Sequence, residues 1–143
     1  MNGGAYTYTT SVTVRFRDLD PMGQVHNGVV LQYVEEARVR YFRDVLDADI
    51  TEMNGAIVQQ DVEYLTPIPY GTSVTVRYRV ARVGETSLTM PFEVLADDAV
   101  AARGEVVHVV LDETDAPTDV PQEWAKRIEQ FEEAPVDVAS AGQ

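Results

Sequence analysis

The sequence contains no cysteine, only two histidines and a single lysine in 143 residues. Without cysteine there is no disulfide framework, no thiol nucleophile and no thiolate zinc site. His26 and His108 lack H-E-x-x-H spacing, and no G-x-S-x-G elbow is present. Neither a dedicated metal site nor a serine-hydrolase triad is expected, and no metal or cofactor is called for. No apolar run approaches the length of a membrane span, and "MNGGAYTYTT" lacks the basic and apolar regions of a signal peptide. The expectation is a soluble, cytoplasmic protein without a membrane partner.

Positive charge is also scarce. Acidic residues number 24 against 11 basic ones, for a formal charge of −13. Nucleic-acid binding is disfavoured, because the phosphate backbone would be repelled. Two readings of the acidic excess stand side by side. It is a soluble, mutually repelling surface, or an adaptation to high salt, where screening removes the repulsion.

Apolar residues make up 45% of the chain, enough for a sizeable core. The length fits one domain over residues 1–143, with a core over about 6–111, a C-terminal helix over about 121–133 and a frayed tail over 134–143. From Tyr6 to Phe16 the even positions read Tyr, Tyr, Thr, Val, Val, Phe and the odd ones Thr, Thr, Ser, Thr, Arg. That alternation predicts a strand with one buried face. Val30, Val34, Ala37, Tyr41 and Val45 form one apolar stripe, predicting a helix over roughly Gly28 to Leu46.

Further strands are predicted over 56–65, with Val58, Val62 and Tyr64 inward, and over 73–83, 86–96 and 99–111. Pro91 suggests that its strand lies at an edge or carries a bulge. "AVAARGEVVHVVL" is apolar on both faces near its end and suits a central strand. Trp124, Ile128 and Phe131 line the short C-terminal helix. One long helix with an antiparallel sheet of about five strands makes an α+β domain, the sheet wrapping the helix. Its edges and outer face call for cover, which oligomerisation would provide.

The stretch "RDLDPMGQVHNGVVLQYVEEARVRYF" runs an acidic, Pro/Gly-punctuated loop into the long helix. A helix N-terminus presents unpaired N–H groups that hold an anion or a developing oxyanion. Here those amides belong to about Asn27 and Gly28. Asp20 lies seven residues upstream, on a loop kinked by Pro21 and Gly23 that could fold back to bring its carboxylate to the same spot. A carboxylate beside an oxyanion hole is a minimal hydrolase. Plainer readings also fit: Asp18 and Asp20 as turn residues, Asn27 as a helix cap, His26 as a surface or packing residue.

This loop, with Glu35-Glu36-Ala37-Arg38 on the helix and "EYLTPIPYGTSVTV" after the second strand, resembles the hotdog-fold thioesterases of the 4-hydroxybenzoyl-CoA thioesterase type. Their signature is Arg-x-x-Asp-x-Asp-x-x-Gly-His-Val-Asn-Asn before a helix with an acidic residue and Ala-Arg. The resemblance covers about Ser11 to Leu111. It implies a hotdog fold, hydrolysis of an acyl-CoA thioester to free acid and CoA, and a homodimer or homotetramer with the site at a subunit interface.

By the same resemblance Asp20 is the catalytic carboxylate, as general base or as nucleophile. Asn27 is the asparagine at the helix entrance, where the amides of Asn27 and Gly28 would hold the oxyanion. Gly23, Gln24 and His26 would orient loop or substrate. Gln24 stands where the family usually has histidine, and His26 where it often has its first asparagine. Glu35 and Glu36 are read as structural, since Glu36 can pair with Arg40. His108 is read as a core or interface residue. Arg77, Arg79, Arg82 and Arg103 are candidates for the phosphates of CoA, because Arg forks onto phosphate; they serve equally as counter-ions of the acidic surface. A non-catalytic acyl-CoA or acyl-carrier binding module on the same fold is the alternative.

Overall fold

The computed structural model describes residues 6–139. The elements run β1 (Tyr8–Val12), α1 (Asn27–Leu46), β2 (Gly55–Tyr64), β3 (Val74–Tyr78), β4 (Arg82–Val83), β5 (Ser87–Ala96), β6 (Ala99–Val110), α2 (Gln122–Phe131) and β7 (Asp137–Val138). The five longer strands form an antiparallel sheet in the order β2-β6-β5-β3-β1. Beyond β3, β5 pairs with β4, to which β7 adds in parallel. The sheet wraps α1, as the hotdog fold requires.

The apolar stripe explains the wrapping. Val34, Ala37 and Tyr41 on α1 are fully buried against Val76, Tyr78, Met90, Phe92 and Val106 of the sheet. Burying each such side chain contributes roughly 1.5–3 kcal/mol. The helix ends at Asp47, which takes a left-handed φ of 53°. α2 closes the far end of α1: Trp124 meets Phe42 edge-on at 5.5 Å, and Phe131 meets Tyr41 at 6.1 Å.

The close approach of β2 to β6 depends on Gly104. A Cβ there would stand 1.9 Å from the Asp61 carbonyl oxygen and 3.0 Å from Phe92 Cζ. Only glycine lets β2 approach β6 this closely.

The expected strand over 73–83 is broken into β3 and β4. Pro91 is the reason. Its carbonyl accepts the Arg79 N–H at 3.2 Å, so its nitrogen, which has no hydrogen, faces the same neighbour at the break. Pro91 therefore sits in a central strand rather than at an edge, since β5 is flanked on both sides. Val80 N–H, inside the gap, goes to Glu132 Oε2 at 3.1 Å instead. Glu132 also accepts the Tyr41 hydroxyl at 2.5 Å and is only 7% exposed.

Three other expectations are corrected. The first strand stops at Val12, and Phe16 lies in a 3₁₀ turn, 78% exposed. β2 does not bury Val58 and Tyr64: its register shifts between Ile57 and Gln59, and it pairs only with β6 among the described residues. The tail does not fray from residue 134, because Asp137 and Val138 pair with Arg82 and Val83. Residues 140–143 of the expected frayed tail lie outside the described residues.

Candidate active site

The Asp20 loop is a tight hairpin. Gly23 N–H returns to the Asp20 carbonyl at 3.0 Å, and Asp20 N–H donates to the Gln24 carbonyl at 2.7 Å. Pro21 supplies the fixed φ of the first turn position, and Gly23 takes φ 80°. This is a β-turn followed by a left-handed residue, the usual three-residue hairpin loop. Leu19 then pairs with Val25, and His26 N–H donates to the Asp18 carbonyl at 2.9 Å. The hairpin thus hands the chain directly to α1.

Asp20 is half-buried and uses one carboxylate oxygen to close this turn. Oδ1 accepts Met22 N–H at 2.9 Å and Gln24 N–H at 3.2 Å. Oδ2 has no partner among the described residues. The plain turn reading of Asp20 therefore holds, and it leaves one oriented oxygen uncommitted.

At the helix mouth, His26 rather than Asn27 is the cap. Its Nδ1 accepts Gly28 N–H at 3.1 Å, and its carbonyl takes the N–H groups of Val29 and Val30. A ring nitrogen that accepts must be unprotonated, so the other nitrogen carries the hydrogen. Gly28 N–H, expected to face an oxyanion, is thereby engaged. Asn27 N–H has no partner among the described residues and is exposed. It is the free amide of the first turn.

Asp18 does a holding job. Its Oδ2 accepts Tyr33 hydroxyl at 2.6 Å and Arg15 N–H at 2.8 Å. Burial works to raise its pKa, but the Tyr33 and Arg15 hydrogen bonds and the charges of Arg15 and Arg17 outweigh that, holding it below the usual range. The Tyr33 hydroxyl is pushed up, first by burial and then by Asp18.

Sequence reasoning missed a second group. Tyr64, at the end of β2, donates its hydroxyl to the Asn27 carbonyl at 3.1 Å. The segment after it is tied to the hairpin by Val25 N–H to the Ile68 carbonyl at 2.8 Å. Together these two segments carry Phe16, Met22, Tyr64, Leu65 and Tyr70, all large apolar residues exposed in the single chain. Phe16 and Tyr70 meet edge-on at 6.4 Å. Large apolar side chains left exposed on two segments tied together at this mouth mark a place to be covered. The one signal of it in the sequence is Tyr70 in a stretch that otherwise reads as turn; Phe16, Tyr64 and Leu65 fall within predicted strands.

The four arginines expected at phosphate do not gather at this mouth. Arg77 lies 3.5 Å from Glu93, Arg103 2.9 Å from Glu63 and Arg82 2.5 Å from Asp137. Arg79 packs over the Tyr6 ring. Three of them thus have the counter-ion role. Glu36 pairs with Arg40 at 3.2 Å, as its spacing implies. His108 is 3% exposed and packs on Phe42. Burial, then the Arg38 charge, pushes its pKa down to about 4, so it is a neutral core residue at ordinary pH. Among the described residues no group of three His, Cys, Asp or Glu side chains is arranged to hold a metal. No described helix is long and apolar enough to cross a membrane.

Comparison with known proteins converges on one family. Residues 14–128 match the model of the thioesterase-like superfamily. A thioesterase from Thermus thermophilus, solved in complex with coenzyme A and Zn, is 37% identical. It aligns over 92% of this chain and 98% of its own, with a TM-score of 0.85. A predicted thioesterase from Bacillus stearothermophilus is 28% identical over 90% of this chain and 98% of its own, with a TM-score of 0.80. The uncharacterized protein YsmA of Bacillus subtilis (strain 168) is 24% identical over 89 residues, 62% of this chain and 60% of that protein's length.

Proposed function

We propose that this chain, which belongs to the thioesterase-like superfamily, hydrolyses acyl-CoA thioesters to a free acid and CoA at the Asp20 hairpin. The observation that carries this is the pairing of two unspent groups at one helix mouth. Asp20 Oδ2 is free while Oδ1 is pinned by two amides, and Asn27 N–H is free while its neighbours are capped. The similar Thermus thermophilus thioesterase, solved with coenzyme A, supports CoA as the thiol portion.

In the general-base route, Asp20 takes a proton from water. The water oxygen bonds to the acyl carbon, the carbonyl oxygen gains charge, and Asn27 N–H stabilises that charge. The C–S bond then breaks, and the departing thiolate is protonated. In the nucleophilic route, Asp20 Oδ2 itself bonds to the acyl carbon and expels the CoA thiolate; water then cleaves the mixed anhydride. Both routes need the same free oxygen and the same free amide. Gln24 and His26 act here as positioning groups: one through its backbone on the Asp20 turn, the other as the helix cap.

A second copy of the chain completes the site. Among the described residues β2 offers an unpaired edge, and the exposed apolar residues near the mouth lie on the adjoining segments. Covering both at once accounts for a homodimer or a dimer of dimers.

The non-catalytic binding module is favoured by one observation, that Asp20 already has a complete structural role in its turn. Asp20→Asn separates the two. Asparagine keeps an oxygen for both amides and removes the base. Free-thiol release from acyl-CoA substrates should fall by about 10²–10⁴-fold. Undiminished turnover would overturn the catalytic assignment.

A further inference from the structure

Beside the hairpin lies a cleft of about 620 Å³. One wall is the chain from Val12 to Asp18; the other is the face of α1 from Val29 to Arg40. The walls run antiparallel. Arg40 Nη1 holds the Ser11 carbonyl at 2.6 Å at one end, and Tyr33 holds Asp18 toward the other. Along α1 the cleft extends about 16 Å, at 1.5 Å per residue. It starts at the helix mouth, where the reacting carbonyl is placed by the proposed function.

Its charge is opposite to that of the molecule. Three arginines line it, Arg15, Arg17 and Arg40, against two carboxylates, Asp18 and Glu36. Both carboxylates are already engaged, Asp18 by Tyr33 and the Arg15 backbone, Glu36 by Arg40. The other arginines of this chain, at −13, are largely neutralised: Arg40 within the cleft and Arg43, Arg77, Arg82, Arg103 and Arg127 beyond it each have a carboxylate partner. Arg79 rests on Tyr6, and Arg38 is buried. Arg15 and Arg17 are exposed, and neither side chain makes a salt bridge among the described residues. In so acidic a protein, two guanidinium groups without a salt bridge lining one cleft are a local sink for anions.

We propose that this cleft is the docking place for the phosphates of CoA, with Arg15 and Arg17 as their ligands, in place of the sheet arginines that already have carboxylate partners. The proposal rests on the acyl-CoA reading above. Guanidinium groups suit this ligand because each can donate two parallel hydrogen bonds to one phosphate. The acyl end would lie at the hairpin, and the nucleotide would lie along α1.

Calorimetric titration with CoA and with pantetheine, which lacks the nucleotide, tests this without requiring turnover. Wild type should bind CoA more tightly than pantetheine, and salt should erode that preference. Arg15→Gln and Arg17→Gln should each weaken CoA binding about tenfold, as expected for loss of a charge-assisted contact. They should weaken pantetheine binding less, so that the preference for CoA collapses in the double variant. Arg43→Gln, away from the cleft, should keep the preference. If Arg15→Gln melts early, Arg17→Gln, whose side chain makes no hydrogen bond, carries the test. The proposal is overturned if wild type shows no preference, if the double variant retains it, or if Arg82→Gln or Arg103→Gln abolishes it instead. The calorimetric pattern without any hydrolysis by wild type would sink the catalytic reading and leave this one standing.

Discussion

Replacing Asn27 by proline removes one N–H and an exposed side chain, and little else. Asn27 is the first residue of α1, the helical position that proline tolerates best. A following proline confines the preceding residue to extended or polyproline conformations, and His26 already sits at φ −62°, ψ 139°. The Asn27 carbonyl, which holds the Tyr64 hydroxyl, is kept in proline. The cap from Gly28 N–H to His26 Nδ1 is untouched. What disappears is the one amide of the first turn left free. If that amide holds the oxyanion, kcat should fall by about 10²–10³, equivalent to ~2.7–4 kcal/mol of transition-state stabilisation. Asn27→Ala, which removes the exposed side chain but keeps the N–H, should lose less than about tenfold, since only the transition-state donor is worth more. The assay is free-thiol release from acyl-CoA, with thermal melting of each variant alongside. A proline variant that melts like wild type and turns over within about threefold of Asn27→Ala would refute the oxyanion role, because that change is well below one lost donor.

Other expectations concern the frame around the site. Burial raises the Glu132 carboxyl pKa, and its hydrogen bonds from Tyr41 and Val80 with the Arg79 charge only partly offset this. The protonated form is therefore favoured on folding. Its contribution is complete below the unfolded value of 4.5 and is lost as pH rises through the folded value. Glu132→Gln should melt higher than wild type at pH 8, with the gap closing toward pH 4.5; a gap that widens in acid would contradict this. Gly104→Ala should cost about 3 kcal/mol or more, because its Cβ meets the Asp61 backbone. That is about 10 °C of Tm, and a shift near 1 °C would show that the two strands part at little cost. Sedimentation should give at least twice the 15.9 kDa chain mass, with activity falling on dilution as the assembly dissociates; a fully active monomer would remove the need for a second copy.

Much of the fold is legible without coordinates. The stripe from Val30 to Val45 and the alternation of β3, β5 and β6 are local patterns, and each face went where its period pointed. The turn at Pro21 and Gly23 was legible too, because Asp-Pro-x-Gly carries its own turn chemistry; that it closes a hairpin was not. β2 was legible as a strand, but its burial was not, because exposure is decided by what covers a strand rather than by its own alternation. Nor was the break at Val80, whose N–H is satisfied by Glu132, 52 residues away.

The site divides along the same line. By itself, the sequence determined that an acidic turn runs straight into a helix entrance, since so short a run of turn and cap leaves the chain little freedom. Only the tertiary structure decided which groups at that mouth remain unspent. His26 took the Gly28 amide and left Asn27 free; the turn took one oxygen of Asp20 and left the other. Carboxylates from neighbouring strands or from the tail took Arg77, Arg82 and Arg103 and left Arg15 and Arg17. Residue type decides what a group can do, but hydrogen-bond and charge partners are drawn from across the chain, and they decide whether it is available to do it.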